Sequence, residues 1–85
     1  MLIVVFNSRN ETIYLAQALR NFGIYPQIIN TPKEAGPACG ISVKIPENLL
    51  PTVKGIISNK PFRSFVGIFR MILKNDGRIS LEKIV

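Results

Sequence analysis

Residues Leu2–Glu11, LIVVFNSRNE, contain a strand pattern followed directly by a helix-start pattern, and this pair determines how the rest of the chain is arranged. Residues Leu2–Phe6 form a continuous apolar run rich in β-branched side chains, which predicts a central strand buried on both faces. Ser8 and Glu11 then have the spacing of a capping box, in which Ser8 bonds the backbone N–H of Glu11 and Glu11 reaches back. We therefore expect a buried strand, a short turn and a capped helix.

The predicted first helix has one apolar face and a glycine at its end. Its apolar residues recur at i, i+3, i+4 and i+7, and they are Leu15, Ala18, Leu19 and Phe22. Gly23 follows, and glycine is the residue best suited to end a helix. We expect this face to pack on the sheet.

Two strands and a long loop come next. Residues Ile24–Asn30 predict a second strand, which lies at an edge or begins late because Pro26 has no N–H for a ladder. The segment Thr31–Gly40 contains two prolines and two glycines and predicts a loop. Residues Ile41–Ile45 alternate apolar and polar side chains, which predicts a third strand that Pro46 ends.

The second half predicts a helix and one or two strands. Asn48 is a suitable N-cap, and Pro51 is tolerated in a first helical turn. Residues Phe65–Leu73 predict a fourth strand, and the turn signal at 75–77 predicts that Arg78–Val85 folds back as a hairpin strand, with a helical turn as the alternative. The apolar positions of the second helix are Leu50, Val53, Ile56 and Ile57.

The order β-α-β-β-α-β places the chain in the α/β class in its α+β form, and it matches the ferredoxin-like arrangement. This arrangement has an antiparallel sheet of order 4-1-3-2 with two helices on one face, and the tail adds a possible extra strand. The 85 residues predict a single domain, 1–85.

The longest apolar run near the start is too short to cross a bilayer, and no signal peptide is evident. We therefore expect no membrane contact and a cytoplasmic location.

The composition excludes several kinds of chemistry. With no histidine and one cysteine, the chain has no internal disulfide, no Cys-rich or His-rich metal site and no Ser–His–Asp or Cys–His pair of its own. No metal and no cofactor are expected. The net charge of +6 could attract nucleic acid or acidic proteins, but the basic residues form no run, so nucleic acid is the weaker expectation. Whether the chain is an enzyme stays open, and a carrier or binding role is favoured.

Cys39 is the strongest candidate for a chemical centre, although a free cysteine is often only a small buried apolar residue. In the predicted topology, the loop before strand three lies at the sheet end where helix one begins, so Cys39 should approach the turn Asn7, Ser8, Arg9 and Asn10. Free N–H groups and partial positive charge at a helix start favour a thiolate. Lys33 and Lys44 could add positive charge, and Gly40 would let the backbone move aside.

Several segments resemble a family of small Se/S carrier-like proteins. The resemblance rests on the signature Ala38–Ile45, ACGISVKI, and on the opening residues 4–8, the segment 30–34 and the closing strand 65–69, so that it spans roughly residues 2–72. It implies a thiol carrier linked to sulfur or selenium metabolism, with Cys39 holding the atom and with sulfur- or selenium-handling enzymes as partners. The tail 73–85 departs from the family pattern, and the helix-one turn has no histidine.

Two other functions stay open from the residues alone. The first is an RNA-binding module that stacks bases on Phe6 and Phe69, although these residues are more readily explained as core or oligomer contacts. The second is a homo-oligomer, with a homodimer as the simplest form, that uses the open sheet face or an edge strand at Phe65–Leu73.

Overall fold

A computed structural model describes all residues, 1–85, as one antiparallel sheet with two helices. The elements are β1 Leu2–Phe6, α1 Arg9–Asn21, β2 Gln27–Asn30, β3 Ile41–Ile45, α2 Leu50–Asn59, β4 Phe65–Leu73 and β5 Ile79–Lys83. Single 3-10 turns at Lys33–Ala35 and Glu47–Leu49 precede β3 and α2. The α+β class is confirmed. No helix is long and apolar enough to cross a membrane.

The strand order is β2-β3-β1-β4-β5, and every neighbouring pair is antiparallel. From the other edge the order is 5-4-1-3-2, so the first four strands have the predicted order 4-1-3-2 and the tail supplies the extra strand. The tail is therefore a hairpin strand, and the helical turn is wrong. Because β5 covers the outer side of β4, the expectation of a free edge at Phe65–Leu73 is also wrong.

Both helices pack on the same face of the sheet. Alternate residues of β1 point to that face, where Leu2, Val4 and Phe6 meet Leu15 and Leu19 of α1. Val43 and Ile45 of β3, Val53 of α2 and Ile68 of β4 complete this core.

The other residues of β1, Ile3 and Val5, face the opposite side of the sheet, which we call the second face. There they form a smaller cluster with Phe69, which is 8% exposed. Loop residues Ala35 and Ala38 pack against this cluster, so the loop between β2 and β3 covers part of the second face. Burial from both sides explains why β1 is apolar without interruption.

Three local predictions are corrected in their details. The second strand begins at Gln27, directly after Pro26, rather than at Ile24. It also lies at an edge of the sheet, so the edge position and the late start that Pro26 predicts are both confirmed. Asn48 lies in a 3-10 turn, and the N-cap of α2 is Leu49, which makes no side-chain capping bond, while Pro51 lies in the first turn as expected. Phe22 is the C-cap of α1 and is 67% exposed, because the helix ends at Asn21 before Phe22 can reach the core. The apolar face is instead completed by Thr12 and Ala16, both buried.

Candidate functional site

Cys39 lies beside the end of β1, at the sheet end where α1 begins. Its backbone N–H donates to the Phe6 carbonyl at 3.2 Å, two residues out of the β1–β3 register, in which Phe6 would face Ile41. Gly40 follows with φ of +95°, a backbone conformation that side chains other than glycine rarely adopt. The turn at Gly40 therefore lets the chain enter β3 from a position in which Cys39 lies against β1.

The Cys39 side chain is half-buried and has two polar neighbours. Sγ lies 3.2 Å from the Ile41 carbonyl oxygen and 3.4 Å from the Thr12 hydroxyl oxygen in the first part of α1. A protonated thiol donates to the Ile41 carbonyl, whereas a thiolate can accept a hydrogen bond from the Thr12 hydroxyl. Thr12 also lies 3.0 Å from the Ser8 carbonyl, so its single proton serves either Ser8 or the sulfur.

The helix start beside Cys39 is held by a cap and by a contact from the other half of the chain. Ser8 is the N-cap of α1, and its hydroxyl accepts from the Glu11 N–H at 3.2 Å, as the capping box predicts. The reciprocal bond is replaced by a relay, because the Ser8 N–H donates to the Ser64 hydroxyl and that hydroxyl donates to the Glu11 carboxylate. The Asn7 N–H also donates to the Ser64 carbonyl at 2.8 Å.

The Glu11 carboxylate binds the backbone just before β4. It accepts from the N–H groups of Arg63 and Ser64 at 3.0 and 2.9 Å. The hydrogen bond from the Ser64 hydroxyl, followed by that from the Arg63 N–H, lowers the pKa of Glu11 below its ordinary value, because both bonds stabilise the charged form. An ionised Glu11 therefore fixes α1 to the start of β4. We call the contact of Glu11 with Arg63 and Ser64 the Glu11 clamp.

The remaining predicted site residues are distributed unevenly. Asn7, Arg9 and Asn10 are exposed in the β1–α1 turn and at the start of α1, near Cys39 in the fold but without a side-chain hydrogen bond to it. Lys33 is exposed on the first residue of the 3-10 turn in the loop that carries Cys39.

Lys44 does not reach Cys39, so its expected place in this site is wrong. Lys44 pairs with Ile3 in the β1–β3 register, whereas Cys39 bonds Phe6 at the other end of β1. Three residues of strand separate the two positions, or about 10 Å. Lys44 instead lines a cavity at the far end of the second face.

Two residues beside the site, Thr12 and Ser64, were missed by the sequence analysis. Thr12 touches a sulfur 27 positions away, and Ser64 bonds Ser8 56 positions away. For Thr12 a weak signal existed, since a polar residue falls in the helix stripe that also contains Leu15 and Leu19. No comparable signal marks Ser64.

The aromatic residues considered for base stacking are buried. Phe6 is fully buried in the helix-side core, with Phe62 and Phe65 at centroid distances of 5.0 and 5.7 Å. Phe69 belongs to the small cluster on the second face. Both side chains are core contacts, which is one of the two explanations, core or oligomer contact, that the sequence favoured.

The chain contains no group of three or more His, Cys, Asp or Glu side chains that could hold a metal ion.

No curated protein and no solved structure matches the chain significantly. The sequence model of one family, described as "Putative Se/S carrier protein-like", matches residues 1–64, from β1 to the residue before β4. The match includes Cys39 and the whole α1 start, but it stops before residues 65–69, which the sequence resemblance includes. The chain belongs to the Se/S carrier protein-like family.

Proposed function

We propose that the protein carries sulfur or selenium as a persulfide or selenopersulfide on Cys39. The observation that carries this proposal is the half-buried sulfur beside the first turn of α1, 3.4 Å from a hydroxyl that can donate to it. The family match over residues 1–64 supports the same role. A reactive sulfur with no histidine in the chain suits group transfer between thiols better than hydrolysis.

Loading is a thiol exchange that needs no outside oxidant. The Cys39 thiolate attacks the outer sulfur of a donor persulfide, R–S–SH, so that a new S–S bond forms while the donor's S–S bond breaks. The electron pair of the broken bond leaves on R–S⁻, and Cys39 becomes Cys–S–SH. Delivery is the same reaction with an acceptor thiolate as the attacking group, and selenium in place of the outer sulfur follows the same balance.

The residues around Cys39 have distinct parts in this proposal. Thr12 donates a hydrogen bond to the Cys39 thiolate, both when it attacks during loading and when it leaves during delivery. Gly40, next to Cys39 in the chain, has open space around it, since no atom outside its two chain neighbours lies within 4 Å of the position a Cβ would take. Arg9 and Lys33 add positive charge at the same end of the sheet. The turn of Asn7, Ser8 and Asn10 leads into α1, whose N-terminus carries partial positive charge.

The proposed partners are a donor and an acceptor protein that handle sulfur or selenium in the cytoplasm, where a free thiol is kept reduced. The proposed fold family is ferredoxin-like with an added edge strand, which agrees with the strand order and with both helices on one face. A homodimer is not needed for the chemistry and stays a prediction for light scattering.

The test is incubation of the reduced protein with a small persulfide donor, followed by intact mass spectrometry. Wild-type protein should gain one sulfur atom that a dithiol reductant removes, and Cys39→Ser should gain none. Loaded protein mixed with a thiol acceptor should return to its original mass as the acceptor gains the sulfur. A wild-type chain that stays unloaded under conditions that modify a cysteine-containing peptide would rule the proposal out.

A further inference from the structure

The second face of the sheet is covered by the loop near Cys39 but is open at its other end. At the open end lies a cavity of about 330 Å³, a volume in the range of small-molecule sites. Its lining consists of five apolar side chains and one cation, namely Met1, Met71, Ile72, Leu73, Ile79 and Lys44. We call it the Lys44 cavity.

The apolar lining of the Lys44 cavity is unusually accessible. Met1, Ile72, Leu73 and Ile79 are all more than a third exposed, and Leu73 is 75% exposed. Single exposed apolar residues are ordinary, but four around one concave site form a surface that an apolar ligand would remove from water.

The charge of the cavity selects among possible ligands. Lys44 is half-buried and takes part in none of the three ion pairs and in no side-chain hydrogen bond. A neutral apolar ligand would cover its ammonium group without providing a partner, which is unfavourable. A second copy on a two-fold axis through this site would bring the partner's cation towards Lys44, which is also unfavourable.

We propose that the Lys44 cavity binds a small amphipathic monoanion, a carboxylate on an apolar chain. The carboxylate pairs with the Lys44 ammonium, and the chain lies on Met71, Leu73 and Ile79. Four of the six lining residues follow residue 64, where the family match ends, so the site is a feature of the β4–β5 hairpin and does not depend on the carrier role.

The test is an NMR titration of the full chain with octanoate, compared with 1-octanol, which lacks the charge, and acetate, which lacks the chain. Octanoate should bind more tightly than either and shift the amides of Lys44, Met71, Leu73 and Ile79. Lys44→Gln should weaken octanoate binding about fivefold, as expected for a partly exposed ion pair, and leave 1-octanol binding unchanged. Lys54→Gln, on the exposed side of α2, is the matched control and should bind like wild type.

Four results of the titrations would overturn the proposal. These are equal binding of octanoate and 1-octanol, equal binding of octanoate and acetate, unchanged octanoate binding by a folded Lys44→Gln, and equal weakening by Lys54→Gln. Dilution without ligand that shifts the same amides would show that a second copy occupies the face, which also overturns it. Cys39→Ser should bind octanoate normally, so failure here and failure of the carrier proposal are separable.

Discussion

Replacement of Glu11 by glutamine should destabilise the protein at neutral pH and remove part of its sensitivity to acid. The carboxylate accepts three hydrogen bonds, from two backbone N–H groups and the Ser64 hydroxyl. Glutamine offers one acceptor oxygen and no charge, so two of the three bonds are lost or weakened. At about 0.5–1 kcal/mol for each bond at a partly exposed site, the free energy of unfolding should fall by about 1–2 kcal/mol.

The pH dependence follows from the direction of the pKa shift. The pKa of Glu11 is lowered in the folded state, first by the Ser64 hydroxyl, so the ionised group stabilises the fold above its unfolded pKa of about 4.3. This contribution is lost as pH falls through the lower, folded pKa. The stability difference between wild type and Glu11→Gln should therefore be full at neutral pH and shrink as the solution is acidified below about pH 4.

Urea unfolding followed by circular dichroism at a series of pH values measures this difference. Glu34→Gln is the matched control, since Glu34 is exposed and makes no ion pair or side-chain hydrogen bond. It should change the free energy of unfolding by less than about 0.5 kcal/mol. Glu47, whose pKa is lowered by its hydrogen bond to Arg70, keeps its own acid dependence in all three proteins. A Glu11→Gln protein as stable as wild type at neutral pH, or a difference that does not shrink in acid, would refute the clamp.

Three other substitutions test the surroundings of Cys39 and the packing of the tail. Thr12→Val keeps the buried shape but removes the hydroxyl, so alkylation of Cys39 by iodoacetamide at neutral pH should slow by roughly tenfold; an unchanged rate would remove Thr12 from the mechanism. Gly40→Ala places a side chain at φ of +95° and should cost about 1–2 kcal/mol in urea unfolding, whereas no loss would mean that the turn relaxes freely. Gly67→Ala would bring a Cβ to 3.0 Å from the Val85 carbonyl oxygen, so hydrogen exchange at the Val85 amide should accelerate while exchange in β1 changes little; equal protection of Val85 in both proteins would contradict this packing.

Strong local patterns were sufficient for most of the sheet. The bounds of β1, β3 and β4 match the prediction. The first strand is a continuous apolar run, the third alternates apolar and polar residues and ends at a proline, and the fourth is followed by a turn signal. The position of Cys39 at the start of α1 also followed, because the strand order fixes which loops share one end of the sheet.

The contacts that depend on packing between distant segments could not be predicted. Lys44 lies close to Cys39 in sequence, but the extended β3 strand carries it to the other end of the sheet. Asn48 has a good N-cap side chain, yet a 3-10 turn after Pro46 delays the helix start to Leu50. The hydrogen bonds of Ser64 could not be predicted, because the capping box predicts a direct bond from the Ser8 N–H to the Glu11 carboxylate, and Ser64 lies between these two groups.

The most direct measurement is mass spectrometry of the Cys39-containing peptide from protein isolated from its native host without reductant. If the protein is a carrier, a fraction of this peptide should hold one extra sulfur or selenium atom on Cys39, and reductant should release it. Native protein whose Cys39 is found only as a free thiol, while a donor enzyme purified alongside retains its persulfide, would contradict carriage by this residue.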